Sequence, residues 1–169
     1  ENRVALPLGL TIDAGGIGKG LAADLLADRA MANGAHGIVI NAGGEVAIRG
    51  ESILPTGWSV GIENPFVEDD LISTVLLESG GLATSHLESW KVGSTNHIVD
   101  PRTNIAARCE ILQATVLCER TVDAEVLAKM CLLLNKDESL AKLTDLGAEA
   151  LLVLSSGETH QTEGWSDFE

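Results

Sequence analysis

Hydrophobic positions along this chain alternate between two periods, and the changes of period mark out its elements. Within residues 19–32, Leu21 and Leu25 recur four apart, as do Ala22, Leu26 and Ala30. That spacing predicts one face of a helix, and Gly34 suits its C-terminal cap. Residues 122–134 are apolar nearly all round, which predicts a buried helix. Residues 139–146 read as a further helix, ended by Gly147. Strands are predicted at 8–12, 58–62, 72–77, 112–118 and 150–154. Two more flank Gly43-Gly44 in GIVINAGGEVAIRG, where the glycines read as a hairpin or tight bend. A short strand at 96–99 stops at the turn signal Asp100-Pro101. Residues 85–95 read as an irregular loop, and the tail from Glu158 is polar and acidic. Helices and strands mix without strict βαβ alternation. The fold class is therefore α+β, with helices packed on a mixed or antiparallel sheet.

A length of 169 residues fits one domain. The hydrophobic fraction of 45% supports a packed core, while 3% aromatics and no tyrosine leave that core to Ala, Val, Ile and Leu. Eleven basic against 25 acidic residues give a formal net charge of −14. That charge argues against binding nucleic acid by counterion release and against docking on an anionic membrane. No apolar run approaches the ~18 residues of a spanning helix, so membrane insertion is not expected. ENRVALPLG at the front has neither a basic region nor a long apolar one, so no signal peptide is visible. By itself the chain reads as cytoplasmic; removal of a signal would make an extracytoplasmic place consistent as well. Cys109, Cys118 and Cys131 are an odd number without C-x-x-C spacing, and read as small buried hydrophobes.

Three segments could carry chemistry. DAGGIGKG, from Asp13 to Gly20, brings glycines to a helix start, where backbone N–H groups and the positive dipole end favour an anion. It is not a Walker A loop, because Asp13 and Gly20 stand where that pattern needs Gly and Ser or Thr. Leu21 stands where G-x-G-x-x-G needs its last glycine. A structural turn and an anion site fit it equally. In NHIVDPRTN, His97 sits beside a D-P turn and is either a general base at a cleft edge or a hydrogen-bonded structural histidine. His36, His86 and His160 read as surface residues. Asp123, at the start of an apolar helix, is either a helix cap or an oxygen ligand for Mg²⁺. No G-x-S-x-G elbow is present.

The order of the pieces says more than any one of them. DAGGIGKGLAAD, INAGGEV, GLATS, NHIVDPRT and VDAEVLAK follow in series from about Leu8 to about Ser155, and this series resembles the ApbE family of FAD:protein FMN transferases. The resemblance implies an ApbE-like, T-fold-like architecture, with this chain as the C-terminal portion of the family domain and the N-terminal part missing. It implies Mg²⁺-dependent transfer of FMN from FAD to a Thr or Ser hydroxyl of an acceptor protein, with release of AMP. The alternatives are an FAD pyrophosphatase and a non-catalytic FAD-binding or interaction module. By motif position, His97 would deprotonate the acceptor hydroxyl, and Asp13 and Lys19 would contact FAD. Val99 would lie against the flavin nucleotide, while Asp24, Gly43, Gly44, Thr84 and Ser85 would line or support the pocket. Gly16 would offer Mg²⁺ a carbonyl and Asp123 a carboxylate.

The chain departs from the family pattern at Leu127, where a metal-binding Thr is usual, and at Val126, which is acidic in some members. Glu45, His86 and Asn104 replace the usual Asp, Gly and Gly. A domain lacking sheet partners would expose apolar surface and self-associate.

Overall fold

The computed structural model describes residues 3–10, 12–88, 91–92 and 95–169. Its helices are α1 (Gly18–Ala32), α2 (Thr121–Cys131) and α3 (Lys136–Asp145). Its main sheet comprises β1 (Gly37–Asn41), β2 (Glu45–Gly50), β5 (Gly80–His86), β10 (Ile111–Cys118), β11 (Glu149–Leu154) and β12 (Thr159–Gln161). The order across the sheet is β1-β2-β5-β10-β11-β12, and every neighbouring pair is antiparallel. β3 (Trp58–Glu63) and β4 (Leu71–Leu77) form a separate antiparallel hairpin. Two-residue ladders pair β6 (Lys91–Val92) with β7 (Thr95–Asn96) and β8 (Val99–Asp100) with β9 (Ile105–Ala106). The class is α+β, as the mixed pattern predicts.

Side chains alternate across a strand, so each face of this sheet buries its own set. Ala83, Ala114, Val116, Ala150 and Leu152 face Ala124, Ala128, Leu132 and Leu143 of the α2–α3 region. Val46, Ile48, Leu82, Leu117 and Leu151 face Ile62, Val75 and Leu77 of the hairpin. Ladder partners follow this parity: Leu82 lies opposite Leu117 on the hairpin side, and Ala83 opposite Val116 on the helix side. α1 packs separately through small side chains, with Ala23 and Ala27 fully buried beside Ala47 of β2. A Cβ on Gly20 would come within 2.7 Å of the Thr121 carbonyl oxygen, so only glycine fits where α1 crosses α2.

A buried carboxylate ties the two helices together. Asp24 is fully buried and accepts hydrogen bonds from the Thr121 and Val122 amides at 3.1 and 3.0 Å. It thereby serves as the cap that α2 lacks locally, since its N-cap residue, Arg120, makes no side-chain cap bond. Arg49 and Arg120 neutralise it at 2.8 and 3.4 Å. Burial pushes the Asp24 pKa up, but the Val122 and Thr121 amides and Arg120 outweigh it and hold the value below 3.8. At α3 the cap is local: Asn135 accepts from the Glu138 amide at 2.9 Å.

Several expected elements differ. Among the described residues of 8–12 no strand forms; the Leu10 amide bonds back to the Pro7 carbonyl in a turn, and Thr11 lies outside the described residues. The irregular loop expected at 85–95 begins inside β5 and ends in β7, with 89–90 and 93–94 outside the described residues. The strand expected at 96–99 is broken after Asn96, because the Asn96 side chain accepts from the Ile98 amide and turns the chain. α2 stops at Cys131, three residues short of the predicted end, and exposes Val126 on one face. The acidic tail is structured: it pairs as β12 and then forms a 3-10 helix (Glu163–Phe168) that buries Trp165 completely. Of the cysteines, Cys131 is buried, while Cys109 and Cys118 are half-buried. Burial pushes the Cys118 and Cys131 thiols up to about 12.

Candidate functional site

A cleft of about 740 Å³ opens between the hairpin and the sheet face it covers. Its floor comes from β5 and β10. Thr84 and Thr115, directly opposite each other, join hydroxyls at 2.9 Å, and Gln113 donates to the Glu63 carbonyl of β3 at 3.0 Å. These polar groups lie where an all-apolar strand pair would have been closed by the hairpin. β3 supplies one wall through Gly61, Ile62 and Glu63.

The β1–β2 turn supplies the rim. Asn41 accepts from the Gly43 and Gly44 amides, each at 3.0 Å, which folds the turn back on its own side chain. Both glycines have positive φ, 84° and 106°, so the turn requires them. The Gly43 carbonyl points toward the Lys19 ammonium at 3.4 Å.

Two lysines line the same cleft, each held by a buried carboxylate. Lys19 pairs with Glu45 at 2.5 Å, and Lys129 with Glu125 at 2.8 Å. Glu45 is 1% exposed and Glu125 not at all, so neither lysine is a loose surface cation. Glu125 also accepts from the Gly20 amide at 2.7 Å, which locks it against the start of α1. Burial raises the Glu45 pKa; Lys19 opposes that rise and Glu125 adds to it.

Of the residues singled out from the sequence, Lys19, Gly43, Gly44, Thr84, Ser85 and His97 line this cleft. His97 reaches it from the segment between β7 and β8, which is held by the Asn96 side-chain Nδ2 donating to the Ala107 carbonyl at 2.9 Å. Asp13, Gly16, Asp24, Val99 and Asp123 lie outside the lining. Asp13 is exposed and accepts from the Gly15 amide at 2.8 Å, shaping its own loop. Val99 and Asp123 are exposed, Gly16 is half-buried, and Asp24 is the interhelical cap.

Sequence reasoning missed other members. His86, read as a surface residue, is half-buried in the cleft, and its Nδ1 accepts from the Glu88 amide at 2.9 Å. Burial lowers its pKa, against the opposing pull of Glu88. His160 is half-buried as well, whereas His36 is exposed as expected. Lys129 and Glu125 were missed too. Their i, i+4 spacing was the available signal, but it resembles an ordinary helix-surface pair until Glu125 is seen to be buried.

Comparison with known proteins gives the cleft a context. The model of the ApbE family matches residues 3–152. The chain belongs to the ApbE family. A Treponema pallidum relative, an FAD:protein FMN transferase, is 24% identical over 94% of this chain and 48% of its own length. A Vibrio cholerae relative of the same description is 22% identical over 94% and 49%. An ApbE protein from Thermotoga maritima superposes with a TM-score of 0.87 at 30% identity, covering 96% of this chain and 54% of its own. Flavin transferase ApbE from Vibrio cholerae superposes with a TM-score of 0.81 at 21% identity, covering 94% and 52%, and shares the fold. The chain thus spans about half the length of the curated relatives it matches.

The positions expected to hold Mg²⁺ do not fit a dication. Gly16 offers a carbonyl and Asp123 an exposed carboxylate, while Leu127 offers no ligand atom. No group of three or more His, Cys, Asp and Glu suited to a metal occurs among the described residues. The Lys129 stem runs beside Gly16, where a Cβ would meet its Cδ at 3.7 Å, so a cationic side chain already borders that place.

Proposed function

We propose that this chain takes part in transferring FMN from FAD to a Thr or Ser hydroxyl of an acceptor protein, releasing AMP. The observation that carries this reading is the placement of Lys19 and His97 on one cleft. Lys19 supplies fixed positive charge for a pyrophosphate, and His97 a base for a hydroxyl. In the proposed step the acceptor oxygen bonds to the phosphorus beside FMN as His97 takes its proton. The bond from that phosphorus to the AMP phosphate breaks, and AMP leaves. Phosphoryl chemistry of this kind depends on positioning and charge neutralisation more than on covalent help. Mg²⁺ is implied by the resemblance, but Gly16 and Asp123 do not make a fitting donor set, so the charge neutralisation in this reading comes from the lysines that line the cleft.

The net charge of −14 makes the local arrangement important. An anionic dinucleotide is repelled at long range and must be recognised by fixed short-range cations. Self-association belongs to the same proposal, supported by exposed Leu21, Leu25 and Leu26 on α1.

The test incubates the protein with FAD and a threonine-bearing acceptor domain. AMP is followed by chromatography and FMN attachment by mass. His97→Ala should abolish transfer while leaving FAD affinity within about tenfold, because a base acts in the transition state. Unchanged transfer in that variant removes His97 as the base. AMP with free FMN and an unmodified acceptor identifies a pyrophosphatase instead.

A further inference from the structure

We propose that in this chain the ammonium of Lys129, fixed by buried Glu125, stands in for a divalent cation beside Gly16, so that a dinucleotide's phosphates are met by two lysines without a metal. This rests on the flavin reading above and concerns how the same cleft holds its anion.

Three observations converge. Lys129 passes Gly16 and reaches the cleft that Lys19 also lines. Its ammonium is 2.8 Å from Glu125 Oε1, and the other carboxylate oxygen is taken by the Gly20 amide. Glu125 is wholly buried, so it is held in one arrangement and fixes the lysine in turn. The third is the donor set: Leu127 has no ligand atom and Asp123 stands alone and exposed. A dication placed there would find one carbonyl at Gly16 and one exposed carboxylate at Asp123, because both Glu125 oxygens are already taken by Lys129 and the Gly20 amide, whereas Mg²⁺ requires oxygen donors in near-octahedral array. An ammonium needs no such array. It donates along its own N–H directions to whatever oxygens face it.

The experiment measures FAD binding by the full chain through flavin fluorescence, once with EDTA and once with excess magnesium chloride. The expected result is the same dissociation constant, within about twofold, in both. Lys129→Met should weaken binding about tenfold or more in EDTA, as loss of one charge-assisted hydrogen bond does, and Lys129→Arg should recover most of it. Lys129→Met alone leaves Glu125 buried without its ion pair and could unfold α2. The double variant Glu125→Gln with Lys129→Met keeps an acceptor for the Gly20 amide and needs no cation; it should show the same loss. FAD binding that requires magnesium, or binding unchanged in the double variant, overturns the proposal and leaves the flavin reading standing. Failure to bind FAD in either condition overturns the flavin reading itself, and this proposal with it.

Discussion

Removing the Asp24 carboxylate should cost this protein more stability than any change on its solvated faces. The side chain is fully buried, caps two amides of α2 and neutralises parts of two guanidinium groups. Breaking a buried ion pair by removing one partner costs about 3–5 kcal/mol, and loss of an N-cap about 1 kcal/mol. The arginines are not left alone, however. Arg49 keeps Asp28 and the Ile48 and Gly80 carbonyls, and Arg120 keeps Asp28. The lower end, about 3 kcal/mol, is therefore expected for Asp24→Ala. At about 2–4 °C per kcal/mol for this size, that lowers Tm by roughly 6–12 °C. Far-UV circular dichroism during urea and thermal unfolding measures it. The pH dependence follows from the sign of the shift. The folded pKa is below 3.8, so the charged form's contribution is complete above that value and is lost as pH falls through the lower folded value. The gap between wild type and Asp24→Ala should therefore narrow in acid. A loss under about 1 kcal/mol at neutral pH, or a gap that widens in acid, would refute the reasoning.

Gly20→Ala should destabilise the protein by about 1–3 kcal/mol despite alanine's better helix propensity, because its Cβ meets backbone of α2 that cannot move aside; urea unfolding checks it. Trp165→Ala should cost about 3–5 kcal/mol, since the ring is completely buried against the hairpin-side core. Its calorimetric Tm should fall accordingly, and an unchanged Tm would show the tail to be dispensable.

Much of this fold is legible because its patterns are local. α3 and the strands β10 and β11 follow from apolar positions that their own residues carry; α1 forms where its leucine spacing predicts a helix, but Leu21, Leu25 and Leu26 are exposed and the helix packs instead through Gly20, Ala23, Asp24 and Ala27. β5 was hidden because GGLATSH is small and polar, and for a reason visible only in the fold. The strand lies between α2 and the hairpin-side face, where glycine and alanine permit close approach while Thr84 faces the cleft. The segment 8–12 has strand-like composition but no partner among the described residues. Trp165 gave little warning because one aromatic anchor does not make a period. At the candidate site, the motifs brought Lys19, Gly43, Gly44, Thr84, Ser85 and His97 into view together. Asp24 could not be assigned its capping role from sequence, since its amide partners lie 97 and 98 residues away.

If the cleft binds FAD as proposed, the buried carboxylate of Glu45 should couple that binding to protons. Burial already holds the Glu45 pKa above 4.5, and the ion pair with Lys19 works against it. A phosphate bound at Lys19 would share that ammonium and add negative charge nearby. Both effects favour the protonated carboxyl, so the liganded protein holds more proton at Glu45 than the free one. Affinity for FAD should then rise as pH falls toward the Glu45 value, with a proton taken up on binding. Isothermal calorimetry at about pH 5, in two buffers of different ionisation enthalpy, counts that proton. Two histidines also face the cleft, so the source must be separated. Glu45→Gln should remove the uptake at this pH, and His97→Ala should leave it in place. Equal uptake in wild type and Glu45→Gln would move the proton elsewhere. No uptake in wild type would mean that the bound anion leaves the Lys19–Glu45 pair intact, and that Lys19 serves the turn at Gly43 more than the ligand.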